Sequence, residues 1–141
     1  MVDNEKEQKD MSTNTVAEIH NAFAWNKIGI DASDTGKLGE YQKAIEDYTE
    51  AIRLKLKYYE AIYNRALAYG NLNQKELAIE DFNRVLSIKP DHADAYCYRG
   101  IAYFIMGKKL LAYNDAKIAA ALESRLLLED IKHGKPLIEN D

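Results

Sequence analysis

Tyr59 to His92 reads YEAIYNRALAYGNLNQKELAIEDFNRVLSIKPDH. In its first half Ile62, Ala66 and Tyr69 are spaced by four and three, so they share one face of a helix. In its second half Ala78, Phe82 and Val85 do the same. Asn71, Leu72 and Asn73 punctuate the middle, and Pro90 stops the second stripe. The segment is a helix-turn-helix unit, and it recurs. Alanines fall at Ala44, Ala78 and Ala112, and aspartates at Asp47, Asp81 and Asp115, each step being 34 residues. Ile45 marches with Ile79, Tyr48 with Phe82, Ile52 with Leu86, Arg65 with Arg99, Tyr69 with Tyr103 and Asn73 with Gly107. A fixed period of this length marks a helical repeat, whose units bury their apolar faces against one another. The predicted fold is therefore all-α, a helical-repeat solenoid.

The pattern resembles the tetratricopeptide repeat (TPR) family. Its second-helix signature is matched closely by GEYQKAIEDY at residues 39–48. In the second unit Ala66, Tyr69, Ala78, Phe82 and Pro90 match; in the third, Tyr96, Gly100, Tyr103, Gly107, Ala112 and Ala119 do. The resemblance implies three helix-turn-helix units in a right-handed superhelix, at about 22–58, 59–92 and 93–124, with a capping helix at about 124–133. Three departures stand out. Trp25, Ile28 and Gly29 fit the first helix only if three residues are inserted before Gly39, close to one helical turn, so that helix runs longer or ends in a wider turn. Leu56 and Ser124 stand where the family has Pro, and Ala116 stands where it has an aromatic, which thins the core of unit three.

The chain of 141 residues fits one domain, placed at 15–134. Residues 1–14 are polar and acidic without apolar periodicity and read as a disordered tail; 135–141 reads as a loose one. Thr15 followed by Glu18 is a capping box that starts the first helix. Val16, Ile19 and Phe23 then form a stripe that covers the N-terminal face of the stack or folds back into its groove. Leu126, Leu127 and Ile131 stripe a terminal helix with one polar face, as repeat stacks need. A net charge of -4 and no basic stripe argue against nucleic acid. Arg53, Lys55 and Lys57 read as a solvated helix end. One cysteine, Cys97, permits no internal disulfide, and a reducing compartment is compatible with it. No signal peptide and no run of about 18 apolar residues is present, so no membrane partner is expected and a cytoplasmic location is the default.

The chemistry-bearing residues give an enzyme little to stand on. Asp31, Ser33, Thr35 and Gly36 look like the start of a calcium-binding loop, but Gln42 stands where a chelating glutamate is needed, so an enlarged hairpin turn is the reading. His20, His92 and His133 are scattered, with no zinc spacing, no Cys/His nucleophile pair and no phosphate loop. His92 and Asp94 flank a helix start and read as capping. No cofactor, metal site or catalytic residue is expected. Recurrence in every unit makes Arg65, Arg99 and the three aspartates structural, with pairs predicted across packed helices: Asp47 with Arg65 and Asp81 with Arg99.

What the resemblance implies for function is a concave inner wall built from first-helix positions. It falls on Asn26 and Ile30 in unit one; Tyr63, Asn64, Leu67 and Asn71 in unit two; and Cys97, Ile101, Phe104 and Ile105 in unit three. Unit three is unusually apolar there, the mark of an interaction site or of a surface that the C-terminal helix or tail covers. The family's clamp for acidic chaperone tails is matched only by Asn64; Asn26, Ile30, Asp94 and Tyr98 replace its other members. The expected function is a non-catalytic protein-interaction module, a scaffold or adaptor holding a peptide or helix in its groove. The alternative is a self-associating protein, a homo-oligomer joined through the unit-three patch or the N-terminal stripe, or by trading helices.

Overall fold

The structure, a computed structural model, describes residues 16–133. The expected tails at 1–14 and 135–141 and the Thr15 cap lie outside the described residues. The described residues form six helices and no strand: α1 (Val16–Ser33), α2 (Leu38–Leu54), α3 (Tyr59–Asn71), α4 (Lys75–Ile88), α5 (Ala93–Ile105) and α6 (Lys109–Lys132). They pair as α1 with α2, α3 with α4 and α5 with α6, and each later first helix also packs on the second helix before it. This is the one-dimensional stack that the period required.

Each hairpin reverses at a residue in the left-handed region: Gly36 at φ 69°, Asn73 at 59° and Gly107 at 79°. Glycine and asparagine are the residues that tolerate it. Asn73 and Gly107 are one period apart, whereas Gly36 precedes Asn73 by three residues more. The insertion therefore sits in unit one as the sequence indicated. The second helix absorbs it, a correction to the expected longer first helix or wider turn. Like α4 and α6, α2 starts two residues after the turn, yet it reaches its buried alanine at the seventh residue rather than the fourth and has 17 residues against 14 in α4.

Close approach within each hairpin rests on small residues. Ala44, Ala78 and Ala112 are all buried. A Cβ on Gly100 would lie 3.1 Å from the Asp115 Cβ and 3.3 Å from the Ala112 carbonyl oxygen. A Cβ on Gly29 would come within 2.5 Å of Tyr48 Cε1. Around these contacts Ile62, Phe82, Val85 and Ala95 form one core cluster, and Ala44, Ile45, Tyr48 and Ala68 a second. The packed core is thickest in unit two, which alone has a unit on either side. In unit three Ala116 is exposed, and that stretch of the core is thin, as its missing aromatic predicted.

The C-terminal end corrects one expectation. No separate capping helix follows Ser124: α6 continues through it to Lys132, 24 residues against 14 in α4. The physical reason is local. Residues 121–132, ALESRLLLEDIK, contain no Gly or Pro and consist largely of strong helix formers, so nothing ends the helix where the family's proline would.

Two substitutions check the hairpin packing. Gly29→Ala pushes its methyl into the Tyr48 ring and should cost about 1–3 kcal/mol in thermal or urea unfolding. Gly70, whose added Cβ would meet nothing within 4 Å, should tolerate alanine and gain about 0.5–1 kcal/mol from helix propensity.

Candidate functional site

The recurring charges settle into a repeated device. Arg65 on α3 donates through Nε and Nη2 to both carboxylate oxygens of Asp81 on α4, at 2.7 and 2.8 Å. Its Nη1 reaches back to Thr49 Oγ1 on α2 at 3.2 Å. Arg99 on α5 repeats this, holding Asp115 on α6 at 2.8 and 2.7 Å and Asn83 on α4 at 2.8 Å. The carboxylates are buried and the guanidinium groups nearly so. Asp81 more than offsets the burial that disfavours the Arg65 charge. The pairs are thus made within a unit, a correction to the predicted Asp47–Arg65 and Asp81–Arg99. The arginine's third bond goes to the preceding unit, two residues past that unit's aspartate.

Unit one lacks the device. Gly29 occupies the place of Ala66 and Gly100, so Ile28 stands where Arg65 and Arg99 stand. Asp47 is nonetheless buried, and its Oδ2 has no hydrogen-bond partner. Burial raises its pKa, Glu46 adds to the rise, and Lys43 offsets part of it.

The inner wall takes shape between the units. Each hairpin forms a groove between its two helices, and the next first helix lies over it. The α1–α2 groove, with Ile30, Ser33, Tyr41 and Tyr48, is covered by Asn64, Leu67, Ala68 and Asn71 of α3. The α3–α4 groove, with Ala66, Leu67, Lys75, Ala78 and Phe82, is covered by Tyr98, Ile101, Ala102 and Ile105 of α5, leaving a cleft of about 390 Å³. The α5–α6 groove, with Cys97, Gly100, Ile101, Phe104, Ala112, Tyr113 and Ala116, encloses about 450 Å³ and has no helix over it among the described residues.

Against this geometry the expected wall divides. Ile101, Phe104 and Ile105 are exposed by 47, 64 and 59 %, and Cys97 is exposed beside them. Leu67 links them to the middle of the stack by lining both of the first two grooves. Tyr63 is half-buried in an aromatic cluster, 4.7 Å from the His92 ring and 6.3 Å from that of Tyr98, and burial raises its pKa. Asn26 is buried, and its carbonyl accepts from Asn64 Nδ2 at 3.1 Å, so these two amides hold α1 to α3 and face each other. Asn71 and Ile30 remain at the exposed edge of the wall.

Other readings resolve simply. His92 caps α5, its Nδ1 accepting from Ala95 N at 3.1 Å, and burial lowers its pKa. Asp31 and Ser33 are still helical, and the loop that follows is a turn closed by Thr35 Oγ1 donating to the Ala32 carbonyl. Lys55 lies over the Phe23 and Tyr58 rings at 4.9 and 4.6 Å, a contact that the reading of a solvated helix end missed. No helix of the described residues is long and apolar enough to cross a membrane.

Residues 59–92 and residues 36–58 each match the tetratricopeptide repeat family. Among solved structures, that of MamA is 30 % identical with a TM-score of 0.70, covering 76 % of this chain; this chain spans 61 % of the MamA chain. The second TPR of Spaghetti (RPAP3), bound to the HSP90 peptide SRMEEVD, is 25 % identical with a TM-score of 0.70, covering 77 % of this chain and 99 % of its own. The TPR domain of Sgt2 from Aspergillus fumigatus, 22 % identical with a TM-score of 0.69, covers 94 % of this chain and 92 % of its own, a likeness of fold alone. No curated protein sequence matches the chain.

The arginine device carries two predictions. Arg99→Ala strands the buried Asp115 and should cost on the order of 3 kcal/mol, while Asp115→Ala on top of it adds little in a double-mutant cycle. In unit one, Ile28→Arg should supply the missing partner and gain on the order of 1 kcal/mol, a gain that vanishes when Asp47 is also replaced by Ala. Since burial raises the folded pKa of Asp47 above its unfolded value, its charge costs stability at neutral pH. That cost fades as pH falls through the folded pKa and is gone below the unfolded one. Asp47→Asn should therefore raise the melting temperature at pH 7 and progressively less toward pH 4.

Proposed function

The chain belongs to the tetratricopeptide repeat family, and on that premise we propose that it is a non-catalytic interaction module, a scaffold or adaptor that holds a peptide or helix of another protein along its inner wall. The observation that carries this reading is the run of exposed apolar side chains Ile101, Phe104 and Ile105, continuous through the α3–α5 cleft with Leu67. Contiguous exposed apolar surface on a folded domain marks an interaction site. The peptide in the Spaghetti structure supports a peptide partner for a stack of this kind. The charged groups that recur here, Asp81 and Asp115, are consumed by their arginines, which fits a non-catalytic role.

The chemistry favours an apolar occupant over an acidic tail. Of the positions that would grip terminal carboxylates, Asn64 is spent on Asn26, and Ile30, Asp94 and Tyr98 supply no cation. The single thiol at Cys97 suits a cytoplasmic setting, where it stays reduced. A second reading, self-association, is favoured by the α5–α6 groove being open at the end of the stack.

Affinity capture with the full chain, followed by mass spectrometry, identifies the partner. Leu67→Glu together with Ile105→Glu should then weaken its binding at least tenfold while the circular dichroism spectrum is kept. Undiminished binding by a folded double variant would refute the groove assignment. In calorimetry the peptide SRMEEVD should show no saturable binding below about 1 mM, a ceiling of about 4 kcal/mol.

A further inference from the structure

The α5–α6 groove is a position in a series, and the series specifies its occupant. The first two grooves are each covered by residues at i, i+3, i+4 and i+7 of the following first helix. These are Asn64, Leu67, Ala68 and Asn71 over the first, and Tyr98, Ile101, Ala102 and Ile105 over the second. The two sets are 34 residues apart throughout. The cover follows the groove's chemistry: a groove edged by Ser33 and Asp34 takes two asparagines, and a more apolar one takes Tyr and Ile. The third groove, floored by Gly100, Ile101, Phe104, Ala112 and Ala116, calls for a helix with an apolar stripe at the same spacing.

Such a helix is present on the same chain, in a place from which it cannot serve its own groove. α6 runs on beyond the buried Ala119 for more than three turns, with Leu126 and Leu128 exposed. Positions 124, 127, 128 and 131 fall on one face of that extension, and the sequence there is Ser, Leu, Leu, Ile. This is the covering spacing; like both other sets it begins on a residue with a polar group, and like the second set it is apolar at the remaining three positions. Without a Gly or Pro between Gly107 and His133, turning back would break a continuous helix.

We infer that a second copy of this chain supplies the cover, with the end of α6 from each copy lying in the α5–α6 groove of the other. This rests on the self-association reading above and gives it a definite interface. Exchange of a terminal element is a low-cost route to a dimer when the connection cannot fold back. The directions agree as well. Short connections make a covering helix antiparallel to the second helix beneath it, and a two-fold axis perpendicular to α6 sets the two copies of α6 antiparallel.

Repeat equivalence also names a contact. Asn26 meets Asn64 in the first groove, and Tyr63 meets Tyr98 in the second. The next pair in the series is Cys97 with residue 124 of the cover. The test is Ser124→Cys in the full chain under mild oxidation, with Leu126→Cys as an off-face control. Light scattering is run alongside on the unmodified chain, Leu128→Glu and the groove variant Ala116→Glu. The expected result is a disulfide between Cys97 of one copy and the thiol introduced at position 124 of the other, absent from the control. The mass should be twice 16.1 kDa, and both glutamate variants should dimerise at least a hundredfold more weakly with helicity kept. A dimer without that crosslink, or one indifferent to both glutamates, overturns the exchange but leaves self-association standing. The same disulfide closed within one chain also overturns it, since α6 would then cap its own groove. A constant mass of 16.1 kDa across a hundredfold dilution overturns both readings and leaves the groove to another protein.

Discussion

Arg65 and Arg99 each bind three helices at once, and the order of the stack depends on them. From a first helix, the guanidinium takes both oxygens of the aspartate on its own second helix, and its remaining arm reaches the second helix of the unit before. The apolar contacts between the two helices of a hairpin, built largely of alanine and aromatic side chains, would tolerate small slips. Buried bidentate bonds would not, because a slip strands a carboxylate away from water. The device therefore fixes the register in which the grooves form, and so which residues reach the inner wall.

Much of this is legible in the sequence. The 34-residue period carries the helices, the hairpin turns and the buried alanines. The three-residue insertion in unit one is visible as a misfit of Ile28 and Gly29, but the misfit does not say which helix takes it up; α2 does, as an extra turn at its start. The partners of the aspartates are not legible. A recurring Arg and a recurring Asp show that a pair exists, but a period cannot say whether it closes within a unit or across a boundary; that depends on side-chain reach. The fate of Asn26 is hidden for a similar reason. It sits at a wall position, yet the polar α1–α2 groove buries it against Asn64. The end of α6 escapes the family pattern, which places a stop where this chain carries Ser124 among helix formers.

The inner wall is graded along its length. At the N-terminal end the covered groove is closed with asparagines, in the middle with Tyr98 and isoleucines, and at the C-terminal end Phe104 and Ile101 stand open. One scaffold thus presents three local chemistries, and an apolar partner of the kind proposed would gain most at unit three, where the exposed apolar area is greatest.

The uneven distribution of the arginines also bears on how the stack comes apart. In a chain whose units touch only their neighbours, fraying starts where the coupling between adjacent units is weakest. α2 through α6 are tied in series by the two guanidinium groups, while Ile28 leaves α1 without such a tie, held by apolar packing and by neutral contacts such as Asn26–Asn64 and Ser33–Tyr48. Release of α1 therefore breaks no guanidinium bond, and its amides should exchange with solvent while those of α3 and α4 are still protected. Such an opening bares Ala44, Tyr48 and the stranded Asp47 without unfolding the rest. The first helix of the described stack is thereby the one whose release strands no ion pair, because one hydrophobic residue stands in the place of a cation.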